Sequence, residues 1–191
     1  MASTKIYTLF AGVNGAGKST LFSVDTAADL GVRLNTDEIV KERGWDWRDA
    51  SAQLRAGREL LRRQKECLEK GISFNQETTL SGVSILKAVQ TAKERGYLIR
   101  MRYVGVNSPA IAKERVAKRI AMGGHGVSGE TIDRRFDASK DNLKKVFPLC
   151  DTVNIYDNSG DGLMLVASYV KGAWLKSGFP CRWAEELISG L

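Results

Sequence analysis

A glycine-rich pattern near the amino terminus constrains this chain more than any other feature. Residues 12–20 read Gly-Val-Asn-Gly-Ala-Gly-Lys-Ser-Thr, which fits the phosphate-binding loop pattern G-x-x-x-x-G-K-[ST]. The apolar run 6–10 before it predicts a buried strand, and residues 18–30, closed by Gly31, predict a helix. Strand, loop and helix in this order predict a P-loop domain of the α/β class.

The residue types of the pattern suit a bound polyphosphate. Loop backbone N–H groups can surround phosphate oxygens, and the following helix presents its positive end to them. Lys18 is expected at the β and γ phosphates and the Ser19 hydroxyl on Mg²⁺. The predicted nucleotide-binding residues are Gly12, Asn14, Gly15, Ala16, Gly17, Lys18, Ser19 and Thr20. The pattern predicts ATP or GTP as ligand; the alternative is an accidental glycine turn with Lys18 in solvent.

Length and composition indicate one domain spanning residues 1–191. The chain is 43% hydrophobic and 27% charged, which is sufficient for a single core. It has no apolar stretch near the roughly 20 residues that span a bilayer and no basic-then-apolar leader, so a cytoplasmic protein without a membrane partner is expected. Cys67, Cys150 and Cys181 have no paired spacing and are predicted to be buried thiols.

The net charge of +7 is concentrated in one region. Residues 113–145 contain nine Lys and Arg against five Asp and Glu. Aromatic residues are not interleaved as in single-strand binders, and the chain has no zinc-finger or RNA-binding sheet motif. The basic region therefore predicts a phosphate clamp, not a nucleic-acid partner.

Strand-like and helix-like segments alternate along the chain. The predicted order is strand 6–10, helix 18–30, strand 32–35, helices within 37–70, strand 72–76, helix 82–95, strand 97–106, helix 109–122, helix 130–147, strand 152–156, strand 163–170 and a short helix from residue 182. This alternation predicts a parallel sheet covered by helices. Ligands of such sheets lie beyond the carboxyl ends of the strands, so polar residues there are candidates for chemistry.

Asp37 is the first such candidate. It follows strand 32–35 and can accept the proton of an acceptor hydroxyl during phosphoryl transfer. The same spacing also fits ordinary helix punctuation, with Thr36 as N-cap and Asp37 and Glu38 at the positive end of the next helix. The sequence alone leaves both interpretations open.

Glu77, Thr78 and Thr79 form the second candidate, directly after strand 72–76. Their hydroxyl and carboxylate groups suit a hydroxylated substrate. Glu77 can instead position Mg²⁺ through water, because no other strand offers an evident metal carboxylate. A plain strand end with a capped helix is the remaining alternative. A third segment, 156–160, is interpreted as a turn.

A proline-initiated helix carries Arg115 and Arg119 four residues apart, on one face. The glycine-rich segment 123–129 follows it, so residues 113–135, here the lid segment, are expected to bring arginines onto bound phosphates. The alternative is a solvated charged face. Arg135 on the next helix is a further phosphate candidate.

Three aromatic or imidazole side chains are interpreted more conservatively. His125 is expected to face solvent. Trp45 and Trp47 can line a substrate pocket, but packing against the core is the preferred interpretation.

Taken together, these motifs resemble the zeta toxin family of P-loop kinases. The resemblance covers roughly residues 5–160 and rests on six segments: Ala11–Thr20, Asn35–Ile39, Glu77–Gly82, Arg115–Arg119, Gly123–His125 and Tyr156–Gly160. It implies a nucleoside-monophosphate-kinase-like sheet and transfer of the γ-phosphate of ATP or GTP to a hydroxyl of UDP-N-acetylglucosamine. It also implies an antitoxin as a protein partner.

The resemblance assigns a role to each matching position. Lys18 and Ser19 serve phosphate and Mg²⁺, Asp37 is the catalytic carboxylate, and Glu77 holds the acceptor sugar. Arg115 and Arg119 match the family's arginine segment. The family has a second phosphate-binding arginine, for which Arg135 is the substitute in this chain. His125 also falls near the place of that second arginine.

Three functional hypotheses remain. The first is a UDP-N-acetylglucosamine kinase. The second is a kinase of another small hydroxylated metabolite, which uses the same residues with a different acceptor. The third is a non-catalytic nucleotide-binding module, suggested by the lack of an evident metal carboxylate.

Overall fold

The computed structural model of the chain describes residues 4–25 and 30–191, and its centre is one seven-stranded sheet. The strands are β1 (Ile6–Ala11), β2 (Val32–Leu34), β3 (Phe74–Thr78), β4 (Leu98–Gly105), β5 (Thr152–Asp157), β6 (Met164–Val170) and β7 (Ala173–Lys176). Their order in the sheet is β2-β3-β1-β4-β5-β6-β7. The first five of these are parallel, and β6 and β7 are antiparallel additions.

Helices connect the parallel strands, and one more helix follows the last strand of the chain. They are α1 (Lys18–Val24), α2 (Thr36–Glu42), α3 (Ala50–Lys70), α4 (Ser84–Glu94), α5 (Pro109–Ala121), α6 (Gly129–Val146) and α7 (Arg182–Ile188). On α3, Ala52, Ala56, Leu60, Gln64 and Cys67 are buried at intervals of three or four residues, which gives the helix one face for the sheet. The predicted α/β class with a mainly parallel sheet is confirmed.

The position of β1 in the sheet determines where a ligand can bind. All six residues of β1 are buried, because the strand pairs with β3 on one side and β4 on the other and both sheet faces are covered. The chain leaves β1 into the glycine loop, while β3 and β4 end beside it. A crevice at the carboxyl end of β1 is therefore open to side chains from both neighbouring strands.

Hydrophobic clusters cover the two sheet faces. One includes Tyr7, Leu9 and Ala11 of β1 and extends under α3, α4 and α7. The other includes Phe10 and joins the glycine loop to α5 and to the first half of α6. Alternate residues of β1 thus face opposite clusters, as a strand requires. The second cluster fixes α5 and α6 next to the loop.

Among the predicted elements whose bounds differ from the structure, two lie next to the glycine loop. Strand 72–76 is in fact Phe74–Thr78, because backbone pairing with β1 continues to the pairs Phe10–Glu77 and Ala11–Thr78. Glu77 and Thr78 are therefore strand residues rather than loop residues. The predicted helix 18–30 is described from Lys18 to Val24, and its extension over residues 26–29 lies outside the described residues.

The carboxyl-terminal region contains a strand that was not predicted. β7 pairs antiparallel with β6 through a turn at Lys171 and Gly172, both with positive φ. Its four residues, Ala-Trp-Leu-Lys, are too few to show a periodicity. Trp174 of this strand stacks on Phe147, with ring centroids 5.6 Å apart. The sheet is consequently mixed at this edge.

The three cysteines are all buried and free, as expected of structural thiols. Within residues 4–25 and 30–191, none of the helices is both long and apolar enough to cross a bilayer.

Gly105, at the end of β4, packs against the Trp183 ring, and a Cβ atom there would lie 2.2 Å from it. Trp183 is 7% exposed and donates a 2.8 Å hydrogen bond from Nε1 to Asp157. We expect Gly105→Ala to lower the free energy of unfolding by about 2–3 kcal/mol, because a packed ring must move. Urea unfolding measures this loss. In Gly162→Ala, where the added Cβ meets open space, the change should stay within about 0.5 kcal/mol; equal losses in both variants would contradict the packing explanation.

Candidate functional site

The glycine loop is held closely by its neighbours. Gly12, Gly15 and Gly17 all have positive φ. A Cβ atom on Gly12 would lie 2.1 Å from the carbonyl oxygen of Val104, and one on Gly15 would lie 2.4 Å from that of Ala112. Larger residues are therefore excluded at these two positions by both conformation and space. The loop is fixed by β4 and α5 before any ligand binds.

The remaining predicted nucleotide-binding residues complete the loop. Ala16 is buried, and its carbonyl oxygen accepts a 2.7 Å hydrogen bond from Asn158 Nδ2. Asn14 accepts one from Arg135. Thr20 is exposed, and its carbonyl accepts from the Ser23 hydroxyl. The sequence interpretation of residues 156–160 as a mere turn missed that Asn158 fastens this segment to the glycine loop.

Lys18 is enclosed at the start of α1. Its ammonium group donates to the Val13 carbonyl oxygen at 3.1 Å and lies 3.9 Å from Glu77 Oε1. Burial lowers the pKa of Lys18, and the charges of Glu77 and Asp37 oppose that shift. The side chain is only 7% exposed, so the alternative of a solvated lysine is wrong.

Ser19 and Glu77 bring together oxygen ligands of the kind that Mg²⁺ prefers. The Ser19 hydroxyl lies 3.0 Å from Glu77 Oε1 and 3.1 Å from Oε2. Mg²⁺ is commonly bound by a few protein oxygens together with substrate phosphates and water. A hydroxyl and a carboxylate side by side, next to a phosphate-type lysine, therefore fit that ion.

Glu77 also has one partner from β2 and one from the residue that follows this strand. Arg33 Nη2 donates to Glu77 Oε2 at 2.6 Å, and Asn35 Nδ2 donates to the same oxygen at 3.0 Å. Asn35 additionally caps α2, since its Oδ1 accepts from the backbone N–H of Asp37 at 2.8 Å. The N-cap is therefore Asn35, and the expectation of Thr36 as N-cap was wrong.

Asp37 lies in the first turn of α2 and lines the same cavity as Lys18 and Glu77. Its side chain is 44% exposed, so it can meet a substrate. The helix-punctuation interpretation is correct in part, because Asp37 and Glu38 do occupy the first helical turn. That position places the Asp37 carboxylate at the cavity.

His125 was expected to face solvent, but in the structure it lies against Asp37. Its Nε2 is 3.6 Å from Asp37 Oδ1, and its Nδ1 is 3.5 Å from the amide nitrogen of Gln53. Trp47 packs edge to face on the ring, with centroids 5.1 Å apart. The expectation failed because the glycine-rich segment returns over the cavity, which only the folded chain reveals.

Three arginines of the lid segment are candidates for phosphate contacts, and Arg135 contacts the glycine loop directly. Arg135 donates to Asn14 at 2.8 Å, and burial lowers its pKa. Arg115 donates to the Gly160 carbonyl oxygen at 3.3 Å. Within the described residues, Nη1 of Arg115 and both Nε and Nη2 of Arg119 are buried without a hydrogen-bond partner. Buried guanidinium nitrogens without a partner are costly, and a bound anion would satisfy them.

A cavity of about 650 Å³ lies beside the glycine loop and is lined by Asn14, Lys18, His125 and Arg135. Its lining also includes the predicted acceptor residues Glu77, Thr78 and Thr79, together with Asp37 and Gln76. Trp47 and residues of α3 complete the lining. Trp45 and Trp47 both pack against the core, as expected, and Trp47 also lines the cavity. Such dimensions are ordinary for a small-molecule site.

The turn after β3 keeps the threonines at the cavity. The Thr78 hydroxyl accepts from the backbone N–H of Leu80 at 3.0 Å, and Thr79 pairs with the Ser81 hydroxyl at 2.8 Å. Leu80 has φ +55°, an uncommon conformation for leucine, and is fully buried. The core thus holds this turn in a strained form beside the site.

The neutral state of His125 gives a testable pH dependence. Burial lowers the pKa of His125 below its usual 6.5, Arg119 and Arg135 lower it further, and Asp37 acts in the opposite direction. The unfolded chain therefore takes up a proton at higher pH than the folded chain, so folding stability decreases as pH falls from 7.5 towards the folded pKa. Below that pKa the loss is complete.

We expect the stability difference between wild type and His125→Gln to shrink from pH 7.5 to pH 5, measured by urea unfolding. His125 is the single histidine of the chain, so the difference isolates its titration. Parallel stability curves for the two proteins would contradict a buried, neutral imidazole.

Comparison with known proteins identifies similar chains. The sequence model of the zeta toxin family matches residues 2–165. A Haemophilus influenzae protein of uncharacterized function is 32% identical over 127 residues, which are 66% of this chain and 89% of that protein.

Two solved structures share the fold. The AvrRxo1-ORF1:-ORF2 complex with ATP gives a TM-score of 0.73 at 19% identity, covering 99% of this chain and 65% of that chain. The PezAT chromosomal toxin–antitoxin system of Streptococcus pneumoniae gives 0.65 at 17% identity, covering 99% and 84%. The chain therefore spans less than two thirds of the AvrRxo1 chain, and both likenesses concern the fold.

Proposed function

The chain belongs to the zeta toxin family, and from this premise we propose that it is an ATP-dependent kinase of a small hydroxylated molecule, with UDP-N-acetylglucosamine as the acceptor. The observation that carries the proposal is that Lys18, Asp37 and Glu77 line one cavity. The Ser19 hydroxyl lies 3.0 Å from Glu77, and the lid segment contributes buried arginine nitrogens that have no partner among the described residues. This arrangement supports a phosphate donor site beside a hydroxyl acceptor site. Residues 1–191 are proposed as one kinase domain.

On the donor side, the loop residues Gly12 to Thr20 bind the nucleotide phosphates. Lys18 exchanges its contact with the Val13 carbonyl for phosphate oxygens, and Ser19 supplies a hydroxyl to Mg²⁺. Mg²⁺ bound there would neutralise charge on the nucleotide phosphates. GTP in place of ATP is an outcome that a direct binding comparison would reveal.

On the acceptor side, Asp37 accepts the proton of the attacking hydroxyl. Its carboxylate lies at the cavity with His125 behind it at 3.6 Å. Glu77, Thr78 and Thr79 line the adjoining wall, and the two threonine hydroxyls can hold neighbouring hydroxyl groups of a sugar. Positioning by such groups contributes to the rate because it fixes the acceptor in line with the phosphate.

Arg115, Arg119 and Arg135 stabilise the charge that spreads over the transferred phosphoryl group. The guanidinium fork binds two oxygens and stays charged, which suits this transition state. The buried nitrogens of Arg115 and Arg119 that lack partners support this role. The charge of Arg119 already contributes to lowering the pKa of Lys18, so this arginine lies close to the predicted phosphate site.

Two features bear on the alternative functions. The non-catalytic hypothesis was based on the lack of an evident metal carboxylate, and Glu77 at 3.0 Å from the Ser19 hydroxyl weakens that ground. A kinase of a different hydroxylated metabolite would use the same catalytic residues. The family premise favours the sugar nucleotide, and it also supports an antitoxin as protein partner, as in the PezAT toxin–antitoxin system.

Mass spectrometry of reaction products tests the acceptor. Purified protein with MgATP and UDP-N-acetylglucosamine should yield the sugar nucleotide with one added phosphate. UDP alone, which lacks the sugar, is the matched control and should remain unmodified. An unchanged UDP-N-acetylglucosamine, with phosphorylation of some other metabolite, would reject this acceptor and retain the kinase.

A further inference from the structure

Arg33 is a charged residue of strand β2 that the proposed reaction does not yet use. Its side chain is only 14% exposed. It donates to Glu77 Oε2 at 2.6 Å, to Asn75 Oδ1 at 3.1 Å and to Glu38 Oε1 at 3.1 Å. The guanidinium therefore links β3 to the start of α2.

Arg33 is itself held in place from α1. Its guanidinium carbon lies 3.7 Å from the centroid of the Phe22 ring, a close cation–π contact. Phe22 belongs to the helix that begins with Lys18 and Ser19. A planar cation fixed by a ring and by several hydrogen bonds has little freedom, so it can fix the orientation of a carboxylate that it binds.

The contacts of Glu77 differ between its two oxygens. Oε2 receives hydrogen bonds from Arg33 and Asn35, whereas Oε1 lies 3.9 Å from the Lys18 ammonium group. The Ser19 hydroxyl is close to both oxygens. Arg33 and Asn35 thus bind one oxygen and leave the other towards the loop residues that serve phosphate and metal.

β4, the neighbour of β1 on the side opposite β3, offers no second carboxylate that could orient a metal ion at the glycine loop. The chain ends β4 at Val104-Gly105 and continues as Val106-Asn107, without a carboxylate.

We propose that Arg33 is a positioning residue that holds Glu77 on the metal side of the glycine loop, so that Glu77 is the carboxylate that orients Mg²⁺ at Ser19. This inference rests on the proposed function and deepens it.

Magnesium-dependent nucleotide binding tests the inference without relying on turnover. The dissociation constant of ADP is measured by calorimetry in MgCl₂ and in EDTA, for wild type, Arg33→Met and Arg33→Lys. We expect Arg33→Met to weaken binding about tenfold in Mg²⁺ and less than about twofold in EDTA, because loss of a group that orients a metal-side carboxylate acts only on the metal complex. Arg33→Lys keeps the charge and should recover part of the loss.

Arg63→Met is the matched control. Arg63 is 24% exposed and pairs with Glu42 and Glu59, away from the cavity, so both ADP constants should match wild type. Circular dichroism and urea unfolding identify any variant that does not fold. If Arg33→Met fails to fold, the test is made with Arg33→Lys. The inference is overturned if the ratio of the ADP dissociation constants in EDTA and in MgCl₂ is the same in the folded variant as in wild type.

A second readout separates the two possible roles of Glu77. If Arg33→Met raises the acceptor KM and leaves the ADP constants unchanged, Arg33 orients Glu77 for the acceptor and the inference is wrong. That outcome leaves the proposed kinase intact. Wild-type protein that binds no nucleotide under either condition would instead reject the proposed function itself.

Discussion

Asp37→Asn is expected to lower kcat by about 10³-fold with little change in ATP affinity. The amide has the shape of the carboxylate but cannot accept the hydroxyl proton, and general base catalysis contributes on the order of 10²–10⁴-fold. ATP binding should persist because the loop contacts of Lys18 and Ser19 do not involve the Asp37 side chain. Steady-state kinetics with the phosphorylated acceptor as readout, together with calorimetry of ATP binding, measures both quantities.

Glu42→Gln, on the same helix, is the control for that change. Glu42 pairs with Arg63 on the outside of α2, so its neutralisation removes a charge near the site without touching the cavity. We expect kcat to stay within about twofold of wild type, as is usual for exposed ion pairs. If Asp37→Asn kept more than about a tenth of wild-type kcat, proton transfer would have to use another group, and the assignment of Asp37 as base would fail.

Arg119→Ala should have a comparable effect through a different step. Two of its guanidinium nitrogens are buried without a partner in the described part of the protein, and an arginine on the transferred phosphoryl group is worth on the order of 10³–10⁵-fold in kcat. We expect a loss of at least about 10³-fold. Arg119→Lys, which keeps the charge but lacks the planar fork, should recover only part of it.

Exposed Arg134 on α6 provides the comparison for Arg119. Arg134→Ala removes the same charge from the lid segment, so equal losses in both variants would show a general field effect and contradict a direct contact of Arg119 with phosphate. Loss of ATP affinity without loss of kcat in Arg119→Ala would also contradict it, because that pattern indicates uniform ground-state binding.

The sequence predicted the parts of the site that depend on local pattern. The glycine loop is contiguous, and its conformation follows from residue types and spacing. Asp37 and Glu77 were identified because polar residues near the carboxyl ends of parallel strands meet at one edge, although Glu77 lies within its strand. The parallel sheet followed from the alternation of strands and helices.

The remaining features depend on contacts between distant segments. Arg33 and Glu77 are 44 residues apart, and Asn158 reaches Ala16 across 142 residues, so no local pattern indicates either pair. His125 was expected in solvent because a glycine-rich segment has no periodicity that gives its path. Asn35 rather than Thr36 caps α2, since both are good caps and only the backbone conformation decides between them.

The most direct measurement is phosphate transfer from γ-labelled ATP to deproteinised cell extract, compared between wild-type protein and Asp37→Asn. A small-molecule kinase predicts one or more labelled metabolites with the wild type and none above background with the variant, while both proteins bind ATP. Binding of ATP by the wild type without any labelled product would contradict phosphotransfer at this site and would leave a nucleotide-binding module in its place.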